Sequence, residues 1–181
     1  MVKVELLNYK DDISVLIRQA NTKDAKAIIA LTSTVGAETN YLTFGSEGIE
    51  MTVEQEERLI NTYNQSVSAL LLVAEVNKKI VGLANVAPID FNRQSHVLEI
   101  GVSIIKEYWG IGLGTSLVET LINFANDIKS EVLTLEVVKD NYRAIRLYKK
   151  LGFEICGKLS RRLKVGTVYY DTYIMELLLK K

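Results

Sequence analysis

The chain has 181 residues, of which 48% are hydrophobic and 24% charged, so it is long enough to bury the core of one ordinary globular domain. Its 22 basic and 22 acidic residues cancel, which gives no electrostatic signature of a protein that binds nucleic acid or an anionic membrane. A single cysteine, Cys156, excludes an internal disulfide, and with one histidine there are too few ligands for a structural zinc site.

The amino-terminal segment lacks the apolar core and the small-residue cleavage site of a secretory signal, and no later run reaches the length of a membrane span. We therefore expect a cytoplasmic protein with no membrane or nucleic-acid partner and no metal cofactor. No repeat, linker or low-complexity tract divides the chain, so the sequence predicts an extension over residues 1–13 and a single domain over residues 14–181.

Strand-like and helix-like runs alternate along the chain. The first half predicts a strand (15–20), a helix (23–35) capped by Thr22, a helix (53–64) with the capping box of Thr52 and Gln55, and a hairpin of two strands (69–76 and 80–87). The second half predicts a strand (96–105), a helix (115–128), a strand (132–138), a helix from Asp140 or Asn141 that ends before Gly152, and two strands (153–158 and 168–178). This alternation predicts an α/β domain with a mixed central sheet.

Three glycines interrupt the chain where the strand over 96–105 turns into the helix over 115–128. The run from Tyr108 to Gly114 reads YWGIGLG, and glycines at such a turn let a ligand's phosphates approach free backbone N–H groups at a helix start. The spacing is not that of a Rossmann fingerprint, whose third glycine would replace Thr115 or Leu117. The Lys-Ser/Thr pair of a Walker P-loop is also missing.

A second block follows on the helix that begins near Asn141. It has the pattern Asn-x-x-Ala-x-x-x-Tyr-x-x-x-Gly-Phe, formed by Asn141, Ala144, Tyr148, Gly152 and Phe153. With this block and the glycine turn, the chain resembles the GNAT superfamily of acyl-CoA-dependent N-acyltransferases, including its phosphinothricin and ribosomal-protein alanine acetyltransferase branches.

The glycine turn matches the cofactor signature of that family, Gln/Arg-x-x-Gly-x-Gly/Ala, at Gly112 and Gly114. Trp109 stands where the family has Gln or Arg, so this side chain departs from the family pattern, while the backbone contacts do not depend on side-chain identity. The resemblance implies that acetyl-CoA binds through the turn, the splayed preceding strand and the start of the later helix. The implied cofactor residues are Val102, Ser103, Ile104, Gly110, Ile111, Gly112, Leu113, Gly114, Thr115 and Asn141.

The resemblance also implies a GNAT-like fold with helices on both faces of the sheet and an N-acetyltransferase domain over residues 14–181. The expected reaction is direct acetyl transfer from acetyl-CoA, without a metal, to the primary amine of a small molecule or of a peptide or protein N-terminus. A homodimer is one assembly we consider. The alternative is a catalytically inactive module that binds acyl-CoA and regulates a partner, against which the retention of Tyr148 and Asn141 argues.

Tyr148 is the candidate acid. Its position resembles that of the family tyrosine beside the cofactor sulfur, and a phenol with an ordinary pKa of about 10 can donate to a thiolate whose thiol has a pKa of about 8.5. The alternative is that Tyr148 only packs on the sheet, since its spacing with Ala144 and Leu151 is also that of a core stripe.

Two carboxylates are candidates for the base that accepts the amine proton. Glu99 resembles the proposed base of the phosphinothricin branch, and Glu136 that of the alanine acetyltransferase branch. We rank Glu99 first, although either carboxylate could lie on a solvated strand face or act through a water relay.

Two further assignments concern the cofactor and the acceptor. Arg143 or Lys150 is a candidate for contact with the 3′-phosphate of the cofactor. The segment over 36–50 either resembles the acceptor-binding lid of the family or packs locally.

Overall fold

The computed structural model describes residues 5–8, 13–89 and 92–179. Within them the chain forms the strands β1 (Glu5–Asn8), β2 (Ser14–Gln19), β3 (Leu70–Val76), β4 (Lys79–Pro88), β5 (Val97–Ile104), β6 (Val132–Val138), β7 (Glu154–Val165) and β8 (Val168–Leu178). The α-helices of the same residues are α1 (Ala25–Glu38), α2 (Val53–Gln65), α3 (Leu113–Asp127) and α4 (Tyr142–Lys150).

The strands form one mixed sheet in the order β1-β2-β3-β4-β5-β6-β8-β7. β5 and β6 run parallel, as their connection through α3 allows, and they pair only over residues 97–99 and 132–134. Beyond these residues β5 stays paired with β4 and β6 with β8, but β5 and β6 separate from each other. We call the gap between residues 100–104 of β5 and 135–138 of β6 the notch.

The pairing register decides which side chains share a face of the sheet, because side chains alternate along a strand and paired residues point to the same side. One face carries Ile104, whose Cδ1 lies 3.5 Å from the position that the Cβ of a side chain would take at Gly114 of α3. We call this face the α3 face. The opposite face carries Asn85, whose Nδ2 donates to the Tyr63 hydroxyl of α2 at 3.4 Å, and we call it the α2 face. Helices therefore cover both faces, which confirms the predicted α/β fold.

Apolar side chains between the sheet and its helices form the core, which is continuous across the described residues. Its fully buried members include Leu72, Leu98, Leu117, Leu133 and Phe153. A local signal fixes the start of α2 as predicted. Gln55 N–H donates to Thr52 Oγ1 at 3.2 Å and Thr52 N–H to Gln55 Oε1 at 2.7 Å, so the capping box begins α2.

Two local predictions differ from the structure, and the predicted extension is described only in part. Thr22 does not cap the first helix; Asn21 caps a 3-10 turn over Thr22–Asp24, and α1 begins only at Ala25. The strand predicted over 153–158 continues to residue 165, with irregular register that the alternation rule does not anticipate. Within the predicted extension, β1 pairs with β2, whereas residues 1–4 and 9–12 lie outside the described part of the chain.

Candidate active site

A cavity of about 520 Å³ opens on the α3 face beside the notch. Its lining comes from the end of β5, the glycine turn, α3, α4 and the loop after α1. It includes most of the predicted cofactor and acid residues, namely Val102, Ser103, Ile104, Gly110, Gly112, Gly114, Thr115, Asn141 and Tyr148. Ile111 and Leu113 do not line it, and Leu113 is buried in the core. The structure thus brings together segments that are far apart in the sequence.

The glycine turn places a helix N-terminus at this cavity. Gly110 and Gly112 have φ angles of +86° and +107°, a left-handed region that side chains disfavour. The carbonyl of Gly112 accepts from the N–H groups of Thr115 and Ser116 at 2.9 and 3.2 Å. Among the described residues, no hydrogen bond uses the N–H groups of residues 110–114. These donors, together with the positive end of α3, suit an anionic ligand.

Trp109 has a role that the sequence did not reveal. Its Nε1–H donates to the carbonyl oxygen of Ile104 at 2.7 Å, which ties the turn to the end of β5. The guanidinium of Arg143 lies 5.3 Å from the centre of the Trp109 ring, within cation-π range. Its Nη1 lies 3.6 Å from a Cβ built on Gly110, so α4 brings a cation to the glycine turn. Lys150, the other candidate for a phosphate contact, does not line the cavity.

α4 carries both candidate residues of the second block to the cavity. Asn141 Oδ1 accepts from the Ala144 N–H at 3.2 Å, so Asn141 caps the helix while it lines the cavity. Tyr148 is only 9% exposed, and its ring meets that of Phe153 edge-on with centroids 5.7 Å apart. Burial raises the pKa of Tyr148 to about 12, so its phenol keeps the proton at neutral pH.

Glu99 lies on the α2 face, away from the cofactor cavity. It pairs with Ala87 of β4 and Thr134 of β6 at the last row before the notch. Its side chain belongs to a second cavity, of about 270 Å³, which Tyr63 and Asn85 also line. Within the described part of the chain its carboxylate makes no hydrogen bond or ion pair, so its oxygens can accept a proton or a donor from a ligand.

Glu136 is also on the α2 face but is held by other side chains. Arg162 Nε donates to Glu136 Oε1 and Oε2 at 3.1 and 3.2 Å, and the Thr172 hydroxyl donates to Oε1 at 2.7 Å. Neither cavity is lined by Glu136. The two carboxylates that the sequence left as alternatives therefore differ: one is unpaired and the other is committed to an arginine and a threonine.

For the loop after α1, the sequence predicts either an acceptor-binding lid or local packing, and different residues of the loop fit each of these roles. Tyr41 and Leu42 line the cofactor cavity, whereas Phe44 packs against the core. Asn40 Nδ2 donates to the Tyr170 hydroxyl of β8 at 3.3 Å, so this loop contacts the second half of the sheet. Its action as an acceptor lid stays a prediction.

A notch between two parallel strands, with a glycine turn on one side, is the arrangement that the resemblance to N-acyltransferases implies. Residues 40–153 match the acetyltransferase (GNAT) family, and the chain belongs to that family. A solved GNAT-family acetyltransferase from Streptococcus pneumoniae is 33% identical, with a TM-score of 0.88 and coverage of 91% of this chain and 99% of that chain.

Two relatives with named activities are also similar. The L-amino acid N-acetyltransferase AaaT of Escherichia coli (strain K12) is 27% identical over 162 residues, which are 89% of this chain and 96% of the relative. An N-alpha-acetyltransferase of Saccharolobus solfataricus is 35% identical over 88 residues, 46% of this chain and 47% of the relative. The family, the fold and the enzyme class predicted from the sequence are thereby confirmed. None of the described helices is long and apolar enough to cross a membrane.

Proposed function

We propose that this protein transfers the acetyl group of acetyl-CoA directly to a primary amine, with the cofactor on the α3 face and the amine on the α2 face of the notch. One observation carries this assignment: a cavity that contains Tyr148 lies on one face, an unpaired carboxylate, Glu99, lies on the other, and the sheet is open between them. Family membership supplies the reaction class.

On the α3 face, the cofactor's phosphates bind the N–H groups of residues 110–114 and the N-terminus of α3. Arg143, held over Trp109, adds a cation to the same end of the cavity. The thioester then extends along residues 102–104 of β5, where the lost partner strand leaves backbone donors for the carbonyl oxygen.

On the α2 face, the amine nitrogen attacks the carbonyl carbon, a C–N bond forms, and the C–S bond breaks as the oxyanion collapses. Glu99 takes the proton that the nitrogen loses, directly or through a water molecule. Glu136 is less suited to this task because its oxygens already accept from Arg162 and Thr172.

Tyr148 stabilises the departing sulfur. A phenol pKa of about 12 makes complete proton transfer to a thiolate with a thiol pKa of about 8.5 uphill by roughly 5 kcal/mol. We therefore infer that Tyr148 acts mainly by donating a hydrogen bond to the thiolate, that the sulfur gains its proton from solvent, and that Glu99 releases the proton of the amine to solvent. This refines the general-acid role expected from the sequence.

Two classes of acceptor are consistent with the relatives. The name of the Escherichia coli relative specifies L-amino acids, and that of the Saccharolobus solfataricus relative specifies an α-amino group. Both are primary amines, as the sequence predicts. A cytoplasmic location and a homodimer stay predictions.

The experiment that tests the function measures free thiol released from acetyl-CoA in the presence of amino acids, peptides and simple amines. Thiol release that depends on an amine supports the proposal, and tight acetyl-CoA binding without release for every acceptor supports the inactive module.

The Gly112→Val variant tests the proposed binding of acetyl-CoA at the glycine turn. Because φ is +107° at Gly112, valine strains the turn, and we expect acetyl-CoA affinity to fall by at least about tenfold in calorimetry.

A further inference from the structure

The hairpin of β7 and β8 contains a large bulge. Leu159 pairs with Thr172 and Leu163 with Tyr170, so three residues of β7 stand opposite Asp171 alone. One carboxylate fixes this bulge: Asp171 Oδ1 accepts from the Arg161 N–H at 2.9 Å, and Oδ2 pairs with Lys158 Nζ at 2.7 Å. Arg161 has a φ of +54°, which is unfavourable for a residue with a side chain.

The bulge brings Arg162 across β8 to β6. There its Nε contacts both oxygens of Glu136, beside the hydroxyl of Thr172, which is 2% exposed. An exposed ion pair contributes about 0–1 kcal/mol to stability. This is too little to offset the cost of a bulge with an unfavourable backbone conformation, which is of the order of 1–3 kcal/mol. Bulges often aim a side chain at a functional site, so the placement of Arg162 calls for a functional explanation.

Only one nitrogen of the Arg162 guanidinium is engaged. Nη1 and Nη2 make no hydrogen bond in the described part of the chain, and the side chain is 56% exposed. A guanidinium has five N–H donors in a planar fork that matches the two oxygens of a carboxylate. Glu136 therefore orients the side chain through Nε, and the outer edge of the fork is left for an anionic ligand.

Arg162 and Glu99 lie on the same face of the sheet, on opposite sides of the notch. Glu99 pairs across the parallel strands with Thr134 of β6. Two residues further along β6 lies Glu136, which binds Arg162. An α-amino acid has its nitrogen about 3 Å from the nearer carboxylate oxygen, and a hydrogen bond of about 2.9 Å at each end gives a span of roughly 9 Å. With strands about 4.8 Å apart and a rise of about 3.3 Å per residue, the register places the Cα atoms of Glu99 and Glu136 roughly 8 Å apart, or more where the strands separate, which is of the order of this span.

We propose that Arg162 binds the carboxylate of the acceptor, so that the enzyme prefers amines with a carboxylate beside the amino group, the free α-amino acids. The amino group then lies between Glu99 and the thioester. A peptide N-terminus or an amino acid amide presents a neutral carbonyl at this position and leaves the guanidinium without its charged partner. This inference rests on the proposed function and names its substrate class.

Matched pairs of acceptors test the inference, for example L-leucine with L-leucinamide and L-serine with L-serinamide. For the wild-type enzyme we expect kcat/KM to be higher for the acid by roughly 10-fold to 100-fold. Arg162→Gln should abolish this preference by raising KM for the acid while KM for the amide and for acetyl-CoA stays unchanged. Arg162→Lys keeps the charge without the fork and should restore part of the preference.

Lys164→Gln is the matched control, because it removes an exposed cation from the same strand and should leave both acceptors unaffected. Equal or better turnover of the amides by the wild type would overturn the inference and leave the proposed function standing. An Arg162→Gln variant that loses acid and amide activity alike would also overturn it, since that result indicates a structural role. Absence of thiol release with any amine would reject the proposed function, and this inference with it.

Discussion

The two faces of the notch are built by different means. The α3 face offers a ligand mainly backbone groups: left-handed glycines, N–H groups of a helix start and the edge of a strand that has lost its partner, beside side chains such as Arg143 and Tyr148. The α2 face offers side chains of separate elements, with Tyr63 from α2, Glu99 from β5 and Arg162 from β7. A backbone site serves one ligand of fixed shape, whereas a side-chain site can be changed one residue at a time.

The largest effect that separates the two faces is expected from Glu99→Gln. Loss of the base should lower turnover by roughly 10²-fold to 10⁴-fold, because the amine must then attack without a positioned proton acceptor. Acetyl-CoA affinity, measured by calorimetry, should stay near that of the wild type, since the cofactor cavity lies on the other face.

Glu136→Gln is the comparison for this variant. We expect a smaller loss that appears mainly in the KM of the amine, because the substitution weakens the hold on Arg162. If Glu136→Gln alone abolishes turnover at saturating amine, the base has been assigned to the wrong carboxylate.

Tyr148→Phe acts within the cavity on the α3 face and should have an intermediate effect. One hydrogen bond to the thiolate is lost, which corresponds to a decrease in turnover of roughly 10-fold to 100-fold. The ring contact with Phe153 is kept, so the fold should be unaffected. The thiolate of a more acidic thiol needs less stabilisation, so a thioester of such a thiol should partly rescue the variant in single-turnover assays. If Tyr148→Phe reacts at the wild-type rate, Tyr148 is a packing residue.

Arg143→Gln probes a cationic side chain on the backbone-built face. Its cation lies at the glycine turn, so we expect acetyl-CoA affinity to fall by roughly 10-fold while the KM of the amine is unchanged. A loss that persists with dephospho-CoA indicates a pyrophosphate contact, and a loss confined to CoA indicates the 3′-phosphate. Arg146→Gln, on the same helix but outside the cavity, is the control. Equal affinities for the Arg143 variant and the wild type would show that the backbone acts alone.

The smallest effect concerns Glu56 of α2, the helix whose Tyr63 lines the second cavity. Glu56 is 1% exposed, its buried Oε2 has no hydrogen-bond partner among the residues that the structure describes, and burial raises the pKa of its carboxyl. A raised pKa in the folded state means that the protonated form stabilises the fold at low pH, and that this contribution is lost as the pH rises through the folded pKa.

Glu56→Gln mimics the protonated form and should therefore raise the melting temperature at about pH 8 by a few degrees, corresponding to roughly 1 kcal/mol. Near pH 4 the two proteins should melt together. A difference that is the same at both pH values would show that the amide changes packing rather than charge.

Much of the α3 face could be predicted from the sequence, because its parts are local. The glycines set their own backbone angles, and Asn141 caps the helix that carries Tyr148 seven residues later. The α2 face could not be predicted in the same way. Whether Glu99 and Glu136 share a face depends on the register of β5 against β6, and the reach of Arg162 depends on a bulge that no alternation of side chains reveals.

The shortness of the parallel pair has a consequence for the mechanics of the enzyme. Strands β1 to β5 are joined within the sheet to the half formed by β6, β8 and β7 by the three residue pairs of the parallel strands. The carbonyl oxygen of His96 adds to this connection, since it accepts from Ser130, Glu131 and Val132. A pantetheine chain in the notch would act as a tie between these halves. Hydrogen exchange in β6 and β8 should therefore slow when acetyl-CoA binds, and the melting temperature should rise with its concentration, so that the cofactor completes the sheet as well as the reaction.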